Sequence, residues 1–300
     1  MKKKTYLFAL MAMVLTLGSC SDNENGIGGE TSKYITVSTS IGNMTRVATD
    51  AKGGQTFEEG DEISVYAWTG DATIAPETRE RVVNNAINKL TNGSWISNPQ
   101  MLWKNNRDKH YFIGVYPISA ISDLSAGEYT FDETKQVESD LLVAVNPDGL
   151  SYSADAQQTV PLTFTHVMAK LAVNLTYKNQ WGGIPTVEKV VVGNAAKEAT
   201  INYLTKVVTP STTAKEDFSL PEITENTKYV SVIIPQEDVK QLTIVIGGKN
   251  FVYDNGTPFK LESGKITTVN LEVGRDEIKL GDVKITNWED GSTFSGEALN

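Results

Sequence analysis

Two histidines, one cysteine and a few carboxylate pairs are the residues of this 300-residue chain whose types could support acid–base, nucleophilic or metal chemistry. His110 and His166 each sit inside an apolar, strand-like run, the setting of a hydrogen-bonded strand histidine. No G-x-S-x-G elbow or H-E-x-x-H pair accompanies them. Ser263-Gly264-Lys265-Ile266 has the outline of a phosphate-loop end, but isoleucine stands where Ser or Thr is required and the upstream glycines are missing; it reads as a polar turn. Asp254-Asn255-Gly256 and Glu289-Asp290-Gly291 lack the acidic density of a calcium loop. Glu58, Glu59, Asp61 and Glu62 surround Gly60 as a solvated turn. These readings favour a non-enzymatic protein with no cofactor and no bound metal. Sugar stacking is the remaining chemistry. Trp68, Trp103 and Trp288 follow strand-like runs where core packing is the default, whereas Trp95 and Trp181 stand beside glycine-rich turns.

The elements that would position these residues are short β-type runs separated by turn clusters. YITVSTSI places Ile35, Val37, Thr39 and Ile41 on one face, and DEISVYAW separates Ile63, Val65 and Ala67 from Tyr66 and Trp68. HYFIGVYP, DLLVAV, EKVVVG, KYVSVIIP, KITTVNLEV and DEIKLGDVKITNW continue the pattern. QLTIVIGGKNFVYD reads as a hairpin around Gly247-Gly248-Lys249-Asn250. In ERVVNNAINKL, Val82, Val83, Ala86, Ile87 and Leu90 fit a helical stripe, yet Asn92-Gly93 just beyond is a hairpin turn, which favours a strand. The expected fold is all-β, built from sandwiches. In TVPLTFTHVMAKLAVNLTY the apolar residues change from even positions (Val160, Leu162, Phe164, Met168) to odd ones (Leu171, Val173, Leu175, Tyr177). Such a switch means a bulge, a bend or a change of sheet. With the loop-like GLSYSADAQQ before it, the simplest division is a sandwich over residues 34–158 and a second over residues 159–300.

The N-terminus has its own logic. Lys2, Lys3 and Lys4 precede an uncharged apolar run, YLFALMAMVLTLG, too short to span a bilayer but suited to a signal peptide over residues 1–19. Cys20, the single cysteine, cannot form an internal disulfide. Its setting, Leu17-Gly18-Ser19-Cys20, resembles the lipobox of bacterial lipoproteins, which implies acylation of Cys20 and a lipid anchor. Residues 20–33 are polar and glycine-rich, a flexible tether, and Cys20-Ser21-Asp22-Asn23-Glu24 is similar to the acidic surface-export signals of Bacteroidetes lipoproteins. Loss of residues 1–19 with their three lysines takes the formal charge from −10 to −13, which excludes nucleic acid as a natural partner.

Arg46 ends the first strand and precedes a long polar loop, an accessible place for an arginine-specific protease. Removal of residues 34–46 would uncover an apolar groove that another molecule's strand could fill. The ordered set LGSC (17–20), TRV (45–47), F-x-x-GDEISVYAW (57–68), YFIGVYP (111–117), LTFTHVMAKLAV (162–173), VIIPQ (232–236), FKLESGKITTVNLEV (259–273) and IKLGDVKITNW (278–288) resembles the fimbrillins and fimbrillin-like lipoproteins of Bacteroidetes, subunits of protease-dependent surface fimbriae. The resemblance implies two tandem transthyretin-like sandwiches, placement in the outer membrane and in a fimbrium at the cell surface, cleavage after Arg46, and donor-strand exchange with other fimbrial subunits. A host or bacterial surface receptor is a further implied partner. The tail EDGSTFSGEALN, the candidate donor, offers only Phe294, Ala298 and Leu299 as apolar residues, a departure that leaves stalk, tip, anchor and accessory roles open. The competing reading is a surface lipoprotein that binds glycans and never polymerises.

Overall fold

The protein is described here by a computed structural model covering residues 33–42, 56–153 and 158–288. Cys20, Arg46 and the tail 289–300 lie outside the described residues. The first eight strands are β1 (Thr36–Ile41), β2 (Glu62–Thr69), β3 (Val83–Thr91), β4 (Ser94–Asn98), β5 (His110–Tyr116), β6 (Gly127–Thr130), β7 (Leu142–Leu150) and β8 (Thr159–His166). Then come β9 (Ala169–Tyr177), β10 (Val187–Ala196), β11 (Glu198–Asn202), β12 (Val207–Pro210), β13 (Lys215–Ser219) and β14 (Glu222–Thr224). The series closes with β15 (Lys228–Ile233), β16 (Gln236–Ile246), β17 (Lys249–Leu261), β18 (Lys265–Val273) and β19 (Ile278–Asn287). The fold is all-β, as the alternating runs require.

The described residues form four sheets. A seven-stranded sheet runs β1-β8-β7-β5-β2-β3-β4, a five-stranded sheet β14-β15-β9-β18-β19, a four-stranded sheet β13-β10-β16-β17 and a three-stranded sheet β12-β11-β6. Among these strands only β1/β8 and β9/β18 pair in parallel. The ambiguous stretch is strand from Val83 onward: β3 pairs with β4 through a two-residue turn in which Asn92 and Gly93 have φ of 51° and 73°. Both residues turning left-handed is the type I′ geometry that matches strand twist, and it outweighs the helical stripe. Gly247 and Gly248 (φ 58° and 72°) make the β16–β17 turn in the same way.

β2 lies inside the seven-stranded sheet and is covered on both faces, which explains its apolar content on both parities. Ile63, Val65 and Ala67 face one core with Phe112, Leu162 and Phe164. Tyr66 and Trp68 face a second core that continues through Met168, Leu171 and Val173 to Val190, Leu242 and Ile244. Packing in the first core is close: a methyl group added at Gly114 would lie 2.6 Å from Phe164 Cζ.

The parity switch is a change of sheet. β8 belongs to the seven-stranded sheet, and the chain crosses at Val167–Met168 into β9 of the five-stranded sheet. Division at 158/159 therefore cuts β8 from its neighbours β7 and β1, and the strand pairing moves the crossing to 167–168. β6 also departs from that division, because it pairs with β11.

Candidate functional site at the first strand

β1 is the edge of the seven-stranded sheet, and its residues supply both the ladder and the plug. It pairs with β8 in parallel from Thr36↔Thr159 to Ile41↔Phe164, reinforced by Thr36 Oγ1–Thr159 Oγ1 (3.1 Å) and Ser40 Oγ–Thr163 Oγ1 (3.2 Å). The period-2 pattern sets the faces: Ile35 and Val37 are 1% and 6% exposed, while Ser38 and Ser40 face solvent. Each of the two buried side chains contributes about 1.5–3 kcal/mol by leaving water. The strand is pinned at both ends. Ile35 N–H donates to Met101 O (3.0 Å), Trp103 N–H donates to Lys33 O (3.2 Å), and Gly42 N–H donates to Phe164 O (2.7 Å).

The other margin of β1 faces β4 across a groove of about 680 Å³. Trp95 Nε1–H reaches over it to Thr39 Oγ1 (3.0 Å). Phe57 seals its floor, edge-on to Trp95, Tyr116 and Phe164 at ring separations of 5.3, 5.4 and 5.1 Å. β1 is thus a terminal strand that is hydrogen-bonded along one side and fills an apolar core with two side chains.

The residues with chemical potential serve the fold instead. His110 is fully buried, with Nε2 accepting from Lys104 N–H (3.0 Å) and Nδ1 facing Asp108 O (3.1 Å); burial pulls its pKa below the usual histidine value. Tyr116 is pushed up to about 12, first by burial and then by the Asp61 carboxylate. The Tyr116 hydroxyl therefore stays protonated near neutral pH. Asp61 and Glu59 accept backbone N–H bonds from Glu58 (2.7 Å) and Asn92 (2.8 Å), and Glu62 pairs with Lys89 (3.1 Å), so this acidic stretch is a turn. Ser263–Lys265 turns the chain between β17 and β18, with Gly264 at φ 67°. Among the described residues no three His, Cys, Asp or Glu side chains converge as a metal site.

A family model described as fimbrillin-like matches residues 45–288. The chain belongs to the fimbrillin-like family. It is 24% identical to "Putative fimbrium subunit Fim1C" of Bacteroides uniformis, over 97% of each chain. Its fold is that of a solved "putative cell adhesion protein" from Bacteroides uniformis, at TM-score 0.63 and 18% identity, covering 85% of this chain and 98% of that one. A fimbrial protein from Bacteroides vulgatus shares the fold at TM-score 0.52 and 12% identity, covering 84% and 99%.

The fimbrillin-like chain also builds a cluster that the sequence did not foreshadow. His166 Nδ1 lies 2.8 Å from Asp140 Oδ1, and its ring stacks flat on Trp288 at 4.1 Å and 6°. The Lys170 ammonium sits 4.1 Å from the centre of the Trp288 ring, and Trp288 N–H donates to Gly264 O (3.0 Å). Residues as far apart in sequence as Asp140 and Trp288 meet here, and their only local signal was a histidine and a tryptophan at the ends of apolar runs. The remaining tryptophans are also engaged: Trp68 and Trp103 are buried, Trp95 is half-buried, and half-buried Trp181 donates to Val273 O (3.0 Å).

Proposed function

We propose that this chain is a structural or adhesive subunit of a cell-surface fimbrium. On this reading it is exported as a lipoprotein, anchored in the outer membrane by acylated Cys20, and cut after Arg46. A strand of another subunit then replaces β1. The four sheets are taken as two tandem transthyretin-like sandwiches, and the role is assembly and adhesion rather than catalysis. The observation that carries the proposal is β1 itself: a terminal edge strand, parallel to β8, whose departure breaks one parallel ladder and the single antiparallel bridge at Tyr34–Leu102 yet unplugs a core lined by Ile63, Val65, Phe112, Leu162 and Phe164. An incoming strand would recover the β8 ladder and the pockets of Ile35 and Val37, the two components of β-augmentation. The fimbrillin-like membership and the resemblance to Fim1C support the same reading. The glycan-binding alternative needs an exposed aromatic platform, and all five tryptophans are buried or half-buried.

The test is brief digestion of a soluble chain spanning residues 21–300 with an arginine-specific protease, followed by sequencing of the new N-terminus and an unheated denaturing gel. A single cut after Arg46 and a heat-sensitive ladder are expected. A chain left whole at Arg46, or one that is cut there and stays monomeric, defeats strand exchange.

A further inference from the structure

We propose that His110 is a pH-sensitive pin on the start of β1, and that protonating its imidazole loosens the segment 101–104 that clamps Lys33–Ile35. As regulation of strand release, this role rests on the assembly reading above. The chain of contacts is continuous. Lys104 N–H donates to His110 Nε2, the adjacent Trp103 N–H donates to Lys33 O, and Met101 O accepts from Ile35 N–H. Tyr34 and Leu102 form the bridge between them. Met101 and Trp103 also share the core of Ile35 and Val37, so the clamp and the start of the strand are packed together.

The hydrogen bonds admit a single protonation state. Lys104 N–H can only donate, so Nε2 must accept; Asp108 O can only accept, so Nδ1 must carry the hydrogen. A second proton on Nε2 would face the Lys104 N–H donor, with both hydrogens directed at each other. The surroundings resist that charge: His110 is fully buried and Trp103 lies edge-on at 5.0 Å. The charged groups acting on the imidazole are Asp108, which favours the proton, and Lys104, which opposes it, and burial outweighs both. The Asp108 carboxylate is engaged by Asn105 Nδ2 (2.7 Å), Lys104 Nζ by Thr69 Oγ1 (3.2 Å), and neighbouring Lys109 Nζ by Asp148 O (3.2 Å). From β7, Leu150 pairs with His110 in the ladder and contributes a backbone carbonyl but no charge.

In the clamped state the imidazole is held neutral and its pKa lies below the ordinary value. Once 101–104 opens, it regains a value of about 6.5. The clamp is therefore intact above about pH 6.5 and weakens as pH falls, because the open form takes up the proton. For one proton the opening constant rises by up to about tenfold per pH unit, until the pH drops below the clamped-state value.

The test is amide hydrogen exchange between pH 7.5 and 5.5, corrected for intrinsic exchange, in the wild-type chain and in H110Q and H166Q. Glutamine at 110 keeps a neutral acceptor near Nε2 and does not titrate. In the wild type and H166Q, protection at the Ile35 and Trp103 amides should fall up to about tenfold from pH 7.5 to 5.5, relative to the Gly42 amide at the far end of β1. In H110Q it should stay flat. The same loss in H110Q, or no loss in the wild type, overturns the proposal. If H110Q does not fold, NMR titration of the wild-type imidazole decides: a His110 that gains its proton while the Ile35 and Trp103 amides remain protected also overturns it.

Discussion

The first and last described strands are both sheet edges, yet they are held in opposite ways. β1 pairs in parallel over six residues and carries its own anchors, Ile35 and Val37, inside the strand region. β19 pairs antiparallel with β18 along its length and is exposed on most of its residues, with Val283 at 40% and Ile285 at 38%. Its anchor comes after the strand: Trp288, 4% exposed, stacked on His166 and capped by Lys170. A strand that plugs a core with its own side chains leaves an apolar groove when it departs. One that lies on an edge and is fastened beyond its end leaves mainly an unpaired ladder. By this contrast β1 suits exchange and β19 suits a fixed margin.

The largest expected effect tests the fixed end. Trp288→Ala removes a buried aromatic, its stack with His166 and the Lys170 contact, and should cost about 3–5 kcal/mol of global stability by denaturant unfolding. Hydrogen exchange at the Ile35 amide should change no more than the global loss requires. Ile35→Ala attacks the other end. It should cost about 2–4 kcal/mol, concentrated in β1, with protection falling across residues 35–42 before the rest of the seven-stranded sheet opens. If both variants loosen β1 and β19 equally, the two ends belong to one cooperative unit and the contrast fails.

How much of this is readable in the sequence divides along one physical line. Local periodicity sets which face a residue occupies, so the inward Ile35 and Val37, the opposed faces of β2 and the turns at Asn92-Gly93 and Gly247-Gly248 are legible. Periodicity does not name a strand's partner. The β1–β8 pairing joins residues 123 apart, and a boundary at 158/159 misses that β8 must stay with the first sheet to receive β1. The parity switch does mark a real crossing, at Val167–Met168. His110 and His166 read as strand histidines, but whether such a ring pins a loop or stacks on a distant tryptophan depends on the tertiary contacts of Lys104 and Trp288. Cys20 and Arg46 carry the export and processing expectations in sequence alone, since both lie outside the described residues.

The smallest effect gives the finest discrimination. Trp95→Phe keeps a ring against Phe57 but removes the hydrogen bond to Thr39 Oγ1 across the groove. A neutral bond of this kind is worth about 0.5–1.5 kcal/mol, and Thr39 is half-exposed, so water can replace the missing donor. Global unfolding should shift by about 1 kcal/mol or less, with slightly faster exchange confined to the middle of β1. If W95F frees β1 as much as Ile35→Ala does, the groove margin rather than the buried side chains holds the strand. On the strand-exchange reading, donor entry would then have to begin by displacing Trp95.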